Sequence, residues 1–117
     1  MRIKQELRES ITHEWNESSR ALLRNDYTGA WHHLERAHIL AQKNPWLHTV
    51  VHFKMLACAV RQRNLVELFG QLHRMAVAAP ASLLRILPVG NVGSSRVSPY
   101  IKMDIPMDLR KILDRAR

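Results

Sequence analysis

Apolar residues recur at helical spacing through most of the chain. Ile3, Leu7, Ile11, Trp15 and Leu22 mark one face of a first helix, from Arg2 to Arg24, and Lys4, Glu6, Glu9 and Glu17 mark the opposite face. Asn25-Asp26 interrupts the pattern and offers Asp26 as a cap, because its carboxylate can accept from the free N–H groups of a first turn. A second helix follows, with Tyr27, Ala30, Trp31, Leu34, Ala37, Leu40 and Ala41 on its apolar face. Asn44-Pro45 separates it from a third, since proline fits a first turn where its missing N–H costs nothing. Leu47, Val51, Met55 and Cys58 form the buried side of that helix, with His48 and His52 along its edge. Asn64 with Glu67 makes a capping-box-like start for a fourth helix. The core face expected there is Leu65, Leu68, Phe69, Leu72, Met75 and Ala76, with Gln71 and His73 to the side. Pro80 is expected to end it, and residues 81–87 to add a short helical turn.

The pattern then changes in kind. The stretch from Pro88 to Ser95 is turn chemistry, rich in Gly, Asn and Ser. Beyond it Val97, Pro99, Ile101, Met103 and Ile105 alternate with polar residues, which predicts an extended arm whose apolar edge lies across the helices. A short helix from Met107 to Arg117 closes the chain. The expected fold is all-α: four main helices as two antiparallel, tetratricopeptide-like hairpins, with an extended C-terminal arm and a short final helix. Residues 1–87 form the helical bundle, and residues 88–117 pack on the same single domain. The hairpin comparison rests on a faint repeat, Arg24-Asn25-Asp26-Tyr27 against Arg63-Asn64-Leu65-Val66. It is degenerate, since Asn25 stands where that pattern has glycine and Pro45 falls late. Two pairs are too few for a free-standing solenoid.

Composition narrows the function classes. The 117 residues allow one domain with a modest core. The net charge of +8 favours acidic partners, but Arg20, Arg24, Arg61, Arg63, Arg110, Lys111, Arg115 and Arg117 are scattered. No basic run is interleaved with aromatics, so these residues read as solvated helix faces and nucleic acid is not favoured as a partner. No apolar run reaches the length of a membrane span, and the charged N-terminus does not read as a signal peptide. Cys58 is the only cysteine, which forbids an intrachain disulfide and makes a cytoplasmic location the expectation.

Candidate chemistry lies between Ala30 and Cys58, which hold five of the seven histidines. With the second and third helices folded back about Pro45, His38 comes level with the His48–His52 turn. Glu35 lies one turn from His38 on the same face. One carboxylate and three imidazoles then converge, a set suited to Zn, Cu, Ni or Fe. Glu35, His38, His48 and His52 are the candidate ligands, with Gln71 as a partner that orients one ring. The competing reading is a structural Glu–His hydrogen-bond network holding no metal. Met55 and Cys58 lie further along and could serve a soft ion, although residues at core spacing usually serve the core alone. A two-metal oxidase is disfavoured, because a ferritin-like site needs a second Glu-x-x-His pair. The metalloprotease motif is absent, because Thr49 occupies the place of the general-base glutamate. Of the tandem His32-His33, at most one can join the site, and His33 is expected to face outward. Gly90-x-x-Gly93 lacks the lysine of a phosphate-binding loop. No catalytic residue is assigned, and the reading leans away from an enzyme.

Leu34-Glu35-Arg36-Ala37-His38, His48…His52-x-x-Met55-Leu56, Gly70-Gln71 and Pro88-x-Gly90-Asn91-x-Gly93 together resemble DUF3703, a small bacterial family of unknown function. The resemblance covers the chain from about Ala21 to the end. It implies a compact helical cytosolic protein and brings no established activity. The functional expectation is therefore transition-metal binding or metal response through the Glu/His cluster. The alternative is a non-enzymatic module that binds another protein or itself.

Overall fold

Short polar residues at the turns set where three of the helices begin. The computed structural model describes residues 2–83, 93 and 103–116, which form five helices and no strand. These are α1 (Arg2–Leu23), α2 (Tyr27–Ala41), α3 (Pro45–Gln62), α4 (Leu65–Leu83) and α5 (Met107–Arg115). Asn25 takes a left-handed φ of 56°, which a short polar side chain tolerates. Asp26 then caps α2 by accepting from the Gly29 N–H at 2.9 Å. Asn44 caps α3 in the same way, accepting from the Leu47 N–H at 3.1 Å with Pro45 in the first turn. Arg63, at φ 57°, closes α3, and the Asn64 side chain accepts from the Glu67 N–H at 3.1 Å to open α4. The Asn64 N–H itself donates to the Ala59 carbonyl at 3.0 Å, and the Glu67 carboxylate accepts from Gln71.

Consecutive helices pack on one another, and α5 touches both α1 and α2. Ile11 of α1, Leu34 of α2, Val51 and Met55 of α3 and Leu109 of α5 meet in one buried cluster. Ala30 and Ala37 are fully buried, so α2 presents no bulk where its neighbours come close. The Arg36 guanidinium fastens three helices. It donates to Glu14 of α1 at 2.8 Å and to Asp108 of α5. Arg115 adds a pair with Glu6, Nε to Oε2 at 3.1 Å. Of the expected arm, Met103 and Ile105 pack against the cluster while Asp104 is exposed, as period two requires. Val97, Pro99, Ile101 and the stretch 88–92 lie outside the described residues.

Three expectations are corrected. First, α4 is turned the other way. Leu65, Phe69 and Leu72 are exposed, at 64%, 65% and 47%, whereas Glu67, Gln71 and Arg74 are buried. Hydropathy alone would place the leucines inward, but the polar stripe is the one with partners waiting, as the site shows. Second, α4 does not stop at Pro80 and runs on to Leu83. A helical proline forfeits one hydrogen bond and costs about 3 kcal/mol in a helix interior, a cost that does not end the helix here. Third, His33 is not outward. Its Nδ1 lies 2.7 Å from the buried Glu14 carboxylate, and His32 is the exposed member of the tandem.

Candidate metal centre

Helical periodicity brings the histidines together from two helices. His48 and His52, four residues apart, share one side of α3, and His38 reaches them from the last turn of α2. All three are buried, at 3% exposure for His38, 0% for His48 and 2% for His52. Their Nε2 atoms face one another. His38 and His48 are 2.8 Å apart at Nε2, and His48 and His52 are 3.1 Å apart. One ring nitrogen from each lies within 4.8 Å of the others. In α3 these side chains sit in the interior, not at its edge.

Burial in a weakly polar interior penalises imidazolium. It lowers His48 from its ordinary value to about 3, with neighbouring His52 adding to the effect. His52 is lowered to about 4, again chiefly by burial, with Arg74 adding to the effect and the Gln71 hydrogen bond opposing it. At neutral pH His48 and His52 are therefore neutral imidazoles, the form that ligates metals.

α4 supplies the surroundings. The fully buried Gln71 takes its place in the Glu67, Gln71, Arg74 stripe and meets the His52 Nδ1 through Oε1 at 2.6 Å. Its Nε2 donates to Glu67 at 3.2 Å and to the Gly93 carbonyl at 3.0 Å. Burial lowers the Arg74 guanidinium from its ordinary value, and the charge of Glu67 counters that. Gly93 closes in on His38. A Cβ built there would lie 2.4 Å from His38 Cδ2, and its φ of +84° suits glycine, so the position admits no side chain without displacing the ring.

Of the five residues singled out in the sequence, His38, His48, His52 and Gln71 come together. Glu35 is also buried, one turn before His38 on α2, but among the described residues the convergent group is the three histidines without it. Cys58 is buried outside that group, and its thiol is pushed up to about 11, first by burial and then by Glu67. Glu67 and Gly93 were not assigned to the site, Glu67 being read as a capping-box partner and Gly93 as part of a turn. The i, i+4, i+7 spacing of Glu67, Gln71 and Arg74 was the signal for the first, while nothing local marks Gly93 as a neighbour of His38.

No curated protein and no solved structure matches the chain. No helix among the described residues is long and apolar enough to cross a membrane. One family model does match, over residues 5–113, and it is described as a protein of unknown function. With almost the whole length covered, the chain belongs to the DUF3703 family.

Proposed function

We propose that the protein binds one transition-metal ion through the Nε2 atoms of His38, His48 and His52. The observation that carries this reading is three buried imidazole nitrogens facing one another at 2.8 and 3.1 Å. A tetrahedral ion about 2.0–2.1 Å from each nitrogen needs separations of roughly 3.3 Å, so the two close pairs must part by a few tenths of an ångström, with all three nitrogens already within 4.8 Å of one another. A purely structural network has less need of this arrangement. Both contacts meet at His48 Nε2, which carries at most one hydrogen, so a metal-free network must share it, whereas a cation takes a lone pair from every ring. Imidazole donors suit Zn, Cu, Ni or Fe. Glu35, buried one turn from His38, is the carboxylate assigned to complete the set or to balance the ion's charge. The role is binding or sensing an ion, with no reaction assigned.

Melting temperature measured with Zn²⁺, Cu²⁺, Ni²⁺ or Fe²⁺ against a chelated control tests this. A bound ion raises it by mass action, and the rise disappears in both His48→Ala and His52→Ala. No rise with any of the four ions contradicts the reading.

A second reading has its own observation. Phe53 and Val60 of α3 and Leu65, Val66, Phe69 and Leu72 of α4 are exposed apolar side chains. Tetratricopeptide-like hairpins that present such a surface to another chain or a second copy would use it, leaving the histidines as a structural network. Sedimentation showing a strict monomer that captures no partner counts against it.

A further inference from the structure

The Gln71 amide has two ends, and its neighbours decide which one faces His52. Its nitrogen carries two hydrogens, and two acceptors stand ready for them: Glu67 Oε2 at 3.2 Å and the Gly93 carbonyl at 3.0 Å. With the amide reversed, its oxygen would face a carboxylate and a carbonyl across those same distances. Both contacts would then set acceptor against acceptor in a buried place, where an unmade hydrogen bond is expensive. The oxygen must therefore point at His52, whose Nδ1 lies 2.6 Å away. An amide oxygen only accepts, so His52 Nδ1 carries the hydrogen. In a neutral imidazole that leaves Nε2 bare, and Nε2 is the atom turned toward His48.

We infer that Glu67 and Gly93 are positioning residues for the histidine centre. By engaging both hydrogens of the Gln71 amide, they fix His52 as the Nδ1–H tautomer with its Nε2 lone pair directed at the ion. The inference rests on the metal reading for its purpose, but not for its geometry. Glu67 acts at one remove, through Gln71, as a carboxylate that orients a ligating ring. Gly93 acts through its main chain, and only glycine fits there, because a Cβ would lie 2.4–2.7 Å from three atoms of the His38 ring. One residue thus sets the amide of Gln71 and packs on a second histidine. Such outer partners change metal affinity by about 10–100-fold when removed.

The test uses full-length, metal-free protein with ¹⁵N-labelled histidine, followed by titration with Zn²⁺ alone. In the wild type, the His52 spectrum should show hydrogen on Nδ1 and none on Nε2. Finding the hydrogen on Nε2 overturns the inference, and this measurement needs no variant to fold. Glu67→Gln keeps an acceptor oxygen and should preserve both the tautomer and the Zn²⁺ affinity within a few-fold. Glu67→Leu should leave a mixture of His52 tautomers and weaken Zn²⁺ about 10–100-fold. A folded Glu67→Leu protein with unchanged tautomer and unchanged affinity also overturns the inference. If wild-type protein binds no Zn²⁺ or other ion while His52 holds the Nδ1–H form, the metal reading fails and the positioning of His52 stands.

Discussion

Cys58 shows how far burial alone decides chemistry at one residue. Its thiol, buried on α3, is pushed from 9.0 to about 11, so the folded protein resists forming thiolate. The unfolded chain ionises first, from about pH 9. Stability is thus untouched below pH 9, then falls as pH rises toward 11, by roughly 2–3 kcal/mol at 1.36 kcal/mol per pH unit. Denaturant melts of wild type and Cys58→Ala from pH 7 to 11 should diverge in that window. The native thiol should also be inert to alkylation at pH 7.5, and rapid labelling without unfolding would contradict the burial. At this scale the sequence disclosed the pair His48 and His52, because four residues make one helical turn. It did not disclose His33, since the buried Glu14 that receives it comes from another helix and sits among the core positions of α1. Gly93 was hidden for the same reason, being 55 residues beyond the ring it packs against (93 less 38).

At the scale of elements, local signals held at three helix starts and failed at Pro80, which α4 runs through. Asp26, Asn44 and Asn64 each start a helix as their side chains allow. α4 is where pattern misled. Its apolar residues face outward because Gln71 has hydrogen-bond partners inside that water cannot replace without opening the site. Phe69→Ser should therefore change stability by no more than about 0.5 kcal/mol. Gln71→Leu should cost about 1–3 kcal/mol by stranding its buried partners. Denaturant melts that reverse this order would show that α4 is oriented wrongly. α5 makes a similar point about magnitudes. Asp108 is held below the usual carboxylate range by its hydrogen bond to Arg36. A lowered acid stabilises the fold above its ordinary pKa, and that support is lost as pH falls through the folded value. Its side chain is 61% exposed, so after solvent screening the pair is worth less than about 1 kcal/mol. Leu109, 1% exposed, matters more. Leu109→Ala should cost about 2–5 kcal/mol, against less than about 1 kcal/mol for Asp108→Asn.

For the whole molecule, the C-terminal part closes both the core and the candidate site. Met103, Ile105 and Leu109 join the cluster built by α1, α2 and α3, and the Gly93 carbonyl accepts from Gln71. A chain ended after Leu87 should lose several kcal/mol of stability, at roughly 25 cal/mol per Å² of apolar surface exposed. Unchanged melting would show that these contacts are incidental. The all-helical class was legible from periodicity, because an apolar stripe every three to four residues has one economical solution. The orientation of α4 was not, because a polar stripe turns inward only when distant groups await it. Those groups are His52 and the Gly93 carbonyl, so the same contacts that defeat the pattern build the site. Metal content per chain decides whether that site holds an ion. Protein made without an affinity His-tag, incubated with Zn²⁺, Cu²⁺, Ni²⁺ or Fe²⁺ and then freed of unbound ion, should retain one equivalent of at least one of them. His48→Ala, folded by circular dichroism, should retain none. Retention of no ion by the wild type, or equal retention by His48→Ala, would contradict a metal centre at His38, His48 and His52.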